Sequence, residues 1–193
     1  MNQEKIQILV VEDDLDFQFL IRQKLQREPD MAVMGCCETG DMAVALATSG
    51  QPDVVLMDLA LQGPISQGIR ASRTIRLKTD AKVLMLTSYE DYQTVVNAAA
   101  GGFAHGYLFK SQFEILATVI RQAVSGKTPQ QMMIYSLILS PLSSAEYAVF
   151  EQLMGKDICL QSSPKTIANQ KTSLLKKLNL SSPKELRHIF KDF

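Results

Sequence analysis

The chain contains 193 residues, of which 46% are hydrophobic and 21% are charged, and its formal net charge at pH 7 is zero. This composition is typical of a soluble globular protein, and the length allows one domain or two small ones. No apolar run reaches the roughly 18 residues of a membrane span, and the N-terminus lacks a signal-peptide core, so we predict a cytoplasmic protein without a membrane partner.

The first two thirds of the chain alternate between strand and helix patterns. Short apolar runs predict strands, and apolar residues at every third or fourth position predict helices. The predicted strands are residues 5–11, 31–36, 54–57, 82–86 and 106–109, and the predicted helices are residues 16–27, 39–48, 68–78, 92–100 and 113–124. This alternation predicts a doubly wound α/β fold, in which helices cover both faces of a five-stranded parallel sheet.

The pattern changes after residue 125. Gly126 and Pro129 interrupt the preceding helix, and the apolar residues 132–139 indicate a packed linker or a short helix. Three helical patterns follow, over residues 144–154, 164–178 and 183–190. We therefore predict an α/β domain over residues 1–125, a linker over residues 126–141 and a small all-α domain over residues 142–193.

The two predicted domains differ in charge. Residues 1–126 carry 11 Lys and Arg against 15 Asp and Glu, whereas residues 127–193 carry nine against five. This asymmetry favours an acidic module joined to a mildly basic one, although a difference of this size also arises by chance.

Polar residues follow the first, third, fourth and fifth predicted strands. In chain order they are Glu12, Asp13, Asp14, Asp58, Thr87 and Lys110. The carboxyl ends of the strands in a doubly wound sheet meet at one edge, so we expect these side chains to converge. Each alone has a simpler explanation, such as a helix cap or a surface charge. Their shared position at strand ends favours a common site.

Carboxylates gathered at one point repel each other, so the predicted site needs a cation. Mg²⁺ is suited to it, because this ion takes oxygen ligands. An aspartate held beside Mg²⁺ can act as a nucleophile toward a phosphoryl group, and Asp58 is the candidate. Lys110 would neutralise charge, and the Thr87 hydroxyl would hydrogen-bond a phosphate oxygen.

Four motifs contain these residues: ILVVEDD (8–14), PDVVLMD (52–58), VLMLTS (83–88) and GYLFK (106–110). Together they resemble the CheY-like receiver domain of two-component response regulators. The resemblance implies that a sensor histidine kinase phosphorylates Asp58, and that the protein is no enzyme beyond its own phosphorylation and dephosphorylation. The other implied roles are Mg²⁺ binding by Glu12, Asp13, Asp58 and the backbone carbonyl of Ala60, catalysis by Lys110 and Thr87, and a switch pair formed by Thr87 and Tyr107.

Two features depart from the receiver pattern. The loop after the third strand is longer than usual, with Gln62 in place of a proline and the next glycine of the pattern delayed to Gly68. Phe103 stands near a position where the family often has glycine, and we expect its ring to pack against the neighbouring helix.

The C-terminal region contains LSSAEYAVFEQLMGK (142–156), SPKTIANQKTSLLKKLNL (163–180) and SSPKELRHIF (181–190). These segments resemble the LuxR/NarL-type helix-turn-helix output domain, whose recognition helix enters the major groove of DNA. Ser144 is a candidate helix cap, Glu146 matches a family glutamate, and Lys177 is expected to face outward. The DNA-binding residues implied by the resemblance are Lys165, Thr166, Asn169, Gln170, Lys171, Thr172 and Lys176.

The output region departs from its family pattern too. Only nine residues separate Gly155 from Lys165, so the scaffold helix before the recognition helix is shortened to little more than a turn. Ala168 and Thr172 replace lysines that read bases in relatives.

Two functions therefore stay open. In the first, the protein is a NarL/FixJ-type response regulator in which phosphorylation of Asp58 changes DNA binding. It acts as a homodimer, at least when phosphorylated, with residues 183–190 as one candidate interface. In the second, the C-terminal region is a phosphorylation-controlled protein-interaction or dimerisation module that has lost sequence-specific DNA binding. A haloacid-dehalogenase-like phosphatase is rejected, because Ala60 occupies the place of its second aspartate.

Overall fold

The computed structural model describes residues 4–160 and 162–193. The chain divides into two compact units, Met1–Ile134 and Tyr135–Phe193. Within the described residues, no helix has the length and apolar character that crossing a membrane requires.

The first unit contains a five-stranded parallel sheet in the order β2-β1-β3-β4-β5. Its strands are β1 (Ile6–Val11), β2 (Met31–Cys37), β3 (Val54–Met57), β4 (Lys82–Thr87) and β5 (Gly106–Phe109). All of β3 and the last four residues of β1 are buried. Strands buried on both faces have continuous apolar runs, which is why the sequence of these two does not alternate. The predicted doubly wound α/β fold is confirmed.

Helices flank this sheet. They are α1 (Leu15–Gln26), α2 (Gly40–Gly50), α3 (Ser66–Lys78), α4 (Tyr92–Gly101) and α5 (Leu116–Ser125), with a 3₁₀ helix at Lys110–Ile115. A buried cluster packs α1 and α5 against the strands through Ile21, Leu25, Leu116 and Ile120. The single helix predicted over residues 113–124 is instead divided between the 3₁₀ helix and α5, because Ile115, the residue before α5, leaves the helical region (φ −90°, ψ 4°).

Phe103 lies just before β5 in the left-handed backbone region, with φ of 53°. Glycine is favoured in this region because it has no Cβ, so this conformation strains the backbone of Phe103. Its ring is buried, and the Arg73 guanidinium of α3 lies 4.1 Å from the ring centroid. The expected packing against a neighbouring helix is thus confirmed, and it offsets the backbone strain.

The helices that follow are α6 (Pro129–Leu139), α7 (Ser144–Leu153), α8 (Pro164–Lys177) and α9 (Pro183–Ile189). The segment expected to be a packed linker or a short helix is α6, and the boundary between the two units falls inside it. The buried core of the second unit includes Val149, Phe150, Leu174, Leu186, Ile189 and Phe190.

Two details of the second unit differ from expectation. The residue that caps α7 is Ser143 rather than Ser144: the Ser143 hydroxyl accepts from Glu146 N, and Glu146 Oε2 accepts from Ser143 N at 2.7 Å. This reciprocal pairing requires a spacing of three residues, which Ser144 does not have. The described residues between α7 and α8 form no helix, so even the single turn expected there is absent from them.

Candidate functional site

The candidate site lies at the carboxyl ends of β1 and β3. The final residues of these strands pair side by side, Val11 with Met57. Backbone bonds continue this pairing: Asp58 N donates to Val11 O at 2.9 Å, and Glu12 N donates to Cys37 O at 2.9 Å. Glu12 and Asp58 are thereby fixed at one edge of the sheet, which is where sheets of this topology bind ligands.

Three carboxylates converge at this edge. One oxygen each of Glu12, Asp13 and Asp58 lies within 4.8 Å of the others. Glu12 and Asp58 are buried, and Asp13 is half-buried. Carboxylate oxygens are the ligands that hard divalent cations prefer, and three negative charges at this separation repel one another unless a cation is close. The donor set is therefore consistent with a metal site.

Lys110 brings a positive charge to the same edge. It follows β5 directly, and its Nζ lies 2.7 Å from Glu12 Oε2 and 2.9 Å from Asp58 Oδ2. The side chains of Glu12 and Asp58 are only 1% and 5% exposed. Because both charges have been removed from water, each depends on this ammonium group. The structure thus brings together Glu12, Asp13, Asp58 and Lys110. Asp14 instead caps α1, where its side chain accepts from Asp16 N and Phe17 N.

Burial and charge shift the titration of this site. Burial raises the pKa of Glu12 to about 7. The hydrogen bond with Lys110 opposes this increase, and the negative charge of Asp58 adds to it. Burial lowers the pKa of Lys110, but the hydrogen bonds with Glu12 and Asp58 outweigh this effect, and the Lys110 pKa is raised. Lys110 therefore stays protonated at neutral pH.

The loop after β3 is tied to the site. Gln62 N is shared between Ala60 O at 3.2 Å and Asp13 Oδ2 at 3.1 Å. A Cβ on Gly68, in the first turn of α3, would lie 2.5 Å from Asp58 O, so the close approach of the two backbones requires glycine. The longer loop thus still returns to a glycine that packs on the Asp58 backbone. The metal-binding role of the Ala60 carbonyl stays a prediction.

Thr87 and Tyr107, the predicted switch pair, both contact the backbone of Tyr89. Thr87 is fully buried, and its Oγ1 accepts a long hydrogen bond from Tyr89 N at 3.5 Å. The buried Tyr107 donates its hydroxyl hydrogen to Tyr89 O at 3.0 Å. Burial, with the charges of Asp91 and Asp58, raises the pKa of Tyr107 to about 12, so the hydroxyl keeps its proton. The switch role itself stays a prediction.

Sequence reasoning missed two residues near the site. The Phe17 ring of α1 lies with its centroid 4.7 Å from Lys110 Nζ. Its position one helical turn after Asp13 was the available signal. Gln130 of α6 forms hydrogen bonds with the backbone of Tyr107, and no pattern in the sequence points to it.

The predicted DNA-binding residues lie on α8. The exposed ones are Lys165, Thr166, Asn169, Thr172 and Lys176. Gln170 and Lys171 are half-buried. Lys177 is exposed, as expected, and its Nζ donates to Glu146 Oε2 at 2.6 Å. Whether this surface contacts DNA stays a prediction.

Comparisons with known proteins agree with this architecture. Residues 8–121 match the family described as response regulator receiver domain. The chain is 32% identical over 168 residues to the transcriptional regulatory protein LiaR of Bacillus subtilis (strain 168), covering 83% of this chain and 78% of that protein. It is 30% identical over 187 residues to the transcriptional regulatory protein DesR of the same organism, covering 92% of each.

Solved structures extend the comparison. A LuxR-family two-component response regulator from Aurantimonas sp. SI85-9A1 superposes with a TM-score of 0.60 at 28% identity, over 72% of this chain and 98% of that one. The response regulator RcsB of Salmonella typhimurium superposes with a TM-score of 0.57 at 20% identity, over 97% of this chain and 98% of that one, and so shares its fold.

Proposed function

The chain belongs to the two-component response regulators, and we propose that Asp58 is the residue that a sensor histidine kinase phosphorylates. One observation carries this proposal: the Lys110 ammonium group bridges the buried carboxylates of Glu12 and Asp58. A phosphoryl group on Asp58 would develop its charge beside this ammonium group, which is already in position to stabilise it. A response regulator is not a classical enzyme, because the phosphoryl group is transferred to its own chain.

In the proposed step, a carboxylate oxygen of Asp58 attacks the phosphorus of a phosphohistidine in the kinase. The P–N bond breaks, its electron pair returns to the imidazole, and an aspartyl phosphate forms. Lys110 then exchanges the Asp58 carboxylate for phosphoryl oxygens, and the Thr87 hydroxyl donates to one of them. Glu12, Asp13, Asp58 and the Ala60 carbonyl would hold Mg²⁺, which when bound neutralises charge on the carboxylates and the phosphoryl group.

Intact-mass measurement of the full chain after incubation with acetyl phosphate and Mg²⁺ tests the role of Asp58. We expect one added phosphoryl group on the wild-type chain and none on Asp58→Asn. Asp53→Asn is the matched control, because Asp53 lies at the opposite end of the same strand. It accepts a hydrogen bond from Gln7 N at 2.7 Å, which an amide oxygen also accepts. Phosphorylation of Asp58→Asn at the wild-type rate would exclude Asp58.

We further propose that the second unit binds DNA through α8, as a homodimer, under the control of this phosphorylation. LiaR and DesR are named transcriptional regulatory proteins. Residues 127–193 carry nine Lys and Arg against five Asp and Glu, and Lys165 and Lys176 are exposed on α8. Lysines on such a helix contact phosphates, whereas Asn169 and Thr172 between them have side chains able to read base edges.

A second candidate function is a phosphorylation-controlled protein-interaction or dimerisation module. The described residues between α7 and α8 form no helix, so they provide no scaffold helix beneath a recognition helix. Ala168 is exposed on α8, and the Lys177 ammonium is bound to Glu146. Both features reduce the positive charge that α8 offers to phosphates, and phosphate contacts dominate DNA affinity.

Selection of binding sites from random duplex DNA distinguishes these candidates. The full chain is used with and without beryllofluoride, a mimic of the phosphoryl group, in the presence of Mg²⁺. Enrichment of an imperfect palindrome that strengthens with the mimic supports control of DNA binding by a homodimer. We expect Lys165→Ala to weaken enrichment, whereas Lys184→Ala, an exposed lysine of α9, leaves it unchanged. No enrichment in either state, with helix content intact by circular dichroism, supports the interaction module.

A further inference from the structure

The side chain of Gln130 binds the backbone at the outer edge of β5. This strand is last in the described sheet order, so one side of its backbone faces no neighbouring strand of that sheet. At Tyr107 the side-chain amide of Gln130 forms the hydrogen bonds that an adjacent strand would form. Its Oε1 accepts from Tyr107 N at 3.2 Å, and its Nε2 donates to Tyr107 O at 2.9 Å. One amide therefore satisfies both backbone groups, as a residue of an adjacent strand would.

The start of α6 positions Gln130 for this contact. Thr128 caps the helix, since its Oγ1 accepts from Gln131 N at 3.1 Å. Pro129 occupies the first helical position, where an N–H group would have no partner within the helix. Gly106 leaves space for the amide, because a Cβ there would lie 2.8 Å from Gln130 Oε1. These three neighbours together fix the Gln130 amide on β5.

Hydrogen bonds connect this contact to the phosphoacceptor site. The Tyr107 hydroxyl donates to Tyr89 O at 3.0 Å, and Tyr89 N donates to Thr87 Oγ1 at 3.5 Å. In the other direction along the chain, Lys110 follows Tyr107 by three residues and binds the phosphoacceptor carboxylate. Tyr107 thus lies between Gln130 and both groups that would bind phosphoryl oxygens.

We propose that Gln130 docks α6 on β5 while Asp58 is unphosphorylated, and that phosphorylation of Asp58 weakens this contact. The inference rests on the proposed phosphorylation of Asp58. In the described arrangement Lys110 is paired with the Asp58 carboxylate, and a phosphoryl group would draw Lys110 and Thr87 to new positions. Because Lys110 directly follows β5, its movement displaces the strand at Tyr107. Hydrogen bonds weaken steeply when length and angle depart from their optimum, so both bonds of the amide lose strength.

The first turn of α6, which Gln130 holds on β5, belongs to the helix that continues into the second unit. α6 is one helix from Pro129 to Leu139, and the boundary between the two units lies within it, after Ile134. Release of its first turn therefore frees the helix that leads into the second unit. Gln130 touches none of the reacting groups and acts through Tyr107, so it is a positioning residue. Because coupling is reciprocal, a docking contact that phosphorylation weakens must also disfavour phosphorylation.

Hydrogen exchange and binding of beryllofluoride with Mg²⁺, both measured on the full chain, test this inference with the variant Gln130→Ala. Alanine is the strongest helix former, so this change removes the amide without melting α6. In the wild type we expect slow exchange in β5 and the first turn of α6, and faster exchange with the mimic. In Gln130→Ala we expect fast exchange already without the mimic, no further increase with it, and about two- to fivefold tighter binding of the mimic.

Met133→Ala is the matched control. Met133 belongs to the same helix and is 72% exposed, so truncation of its side chain should leave exchange and mimic affinity at wild-type values. Wild-type exchange at Tyr107 in Gln130→Ala would overturn the docking contact, and an unchanged mimic affinity would overturn its coupling to the site. Failure of the wild-type chain to bind the mimic would count against Asp58 as the phosphoacceptor. It would also count against coupling between the Gln130 contact and Asp58. The exchange of Tyr107 needs no mimic and would still test the docking.

Discussion

Lys110 has an aromatic neighbour as well as two carboxylate partners. Its Nζ lies 4.7 Å from the centroid of the Phe17 ring, within the range of a cation–π contact worth about 0.5–2 kcal/mol. The Phe17 ring packs in turn on Phe113, at 5.4 Å between centroids, and both are anchored on the core that joins α1 and α5. Phe17 would therefore restrict where the ammonium group lies during the phosphorylation proposed for Asp58.

Replacement of Phe17 tests this restriction. Phe17→Leu keeps an apolar side chain but removes the π face, so we expect phosphorylation by acetyl phosphate to slow by about three- to tenfold. Phe17→Tyr retains the ring and should stay close to the wild-type rate. A small phosphodonor is used so that binding of a kinase does not enter the measurement.

Phe113→Leu is the control for packing, because Phe113 packs on Phe17, whereas the cation over its own ring is Lys24, at 5.0 Å, and not Lys110. Thermal unfolding is followed for all three variants. Equal losses of stability in both leucine variants, without a difference in their rates, would assign Phe17 to packing alone.

The close approach of α3 to the end of β3 depends on Gly68. A Cβ there would lie 2.5 Å from Asp58 O and 2.8 Å from Leu59 Cα, and both of these are backbone atoms that cannot rotate away. We expect Gly68→Ala to reduce the free energy of unfolding by about 1–3 kcal/mol and to weaken binding of beryllofluoride, because the Asp58 backbone must move. Urea unfolding and a mimic titration measure the two effects. Gly35→Ala is the control, because a Cβ there would lie 3.7 Å from its nearest neighbour, the side chain of Leu9, which is an ordinary contact distance. Equal effects of the two substitutions would contradict the prediction.

Glu146 joins α7 to α8. Its Oε2 accepts from Lys177 Nζ at 2.6 Å, and its Oε1 accepts from Ser173 Oγ at 2.6 Å. The hydrogen bonds from Lys177, Ser173 and Ser143 N lower the pKa of Glu146 from its ordinary value of 4.5 to about 2. The charged carboxylate therefore favours the folded state. Its contribution is fully present above the pKa of the unfolded chain and is lost as the pH falls from about 4.5 toward 2.

Glu146→Gln should reveal this contribution as a difference that depends on pH. At neutral pH we expect the variant to lose about 1–3 kcal/mol of unfolding free energy, because hydrogen bonds to a charged group are exchanged for neutral ones. The difference from the wild type should shrink as the pH is lowered through the same window, since the wild-type carboxyl also becomes neutral. Denaturant unfolding at several pH values measures it. A difference that is constant from neutral pH to acid would show that the charge of Glu146 is not responsible.

The sequence was sufficient for elements that depend on local patterns. All five strands followed from short apolar runs, and Glu12, Asp58 and Lys110 could be grouped because they follow strands whose ends must meet. Contacts between distant segments could not be predicted in this way. Gln130 and Tyr107 are 23 residues apart, and Lys177 and Glu146 are 31 residues apart. Such pairs depend on how whole helices and strands pack against one another. The spacing of apolar residues within one helix or strand does not specify this packing.

At the scale of the whole molecule, a neutral chain is divided into an acidic and a basic part. Residues 1–126 have a net charge of −4, and residues 127–193 have a net charge of +4. The net negative charge of the first part opposes its approach to DNA, so we expect the phosphate contacts to come from the second part. The lysines available on α8 for this purpose are Lys165, Lys171 and Lys176. The number of phosphates that they neutralise determines how strongly salt opposes binding, because each contact releases counterions from the DNA.

The lysines of α8 predict how binding to a selected DNA site depends on salt. Three lysine contacts in one copy give a slope of log affinity against log salt of about −3, whereas two copies on a palindrome give about −5. Fluorescence anisotropy titrations with beryllofluoride present measure this slope, and Lys165→Ala should reduce its magnitude by about 1 per bound copy. Lys184→Ala on α9 should not change it. A slope near zero in the wild type, or an unchanged slope in Lys165→Ala, would mean that α8 does not lie against the phosphate backbone. The exposed Lys165 and Lys176 would then be available to bind an acidic protein surface instead.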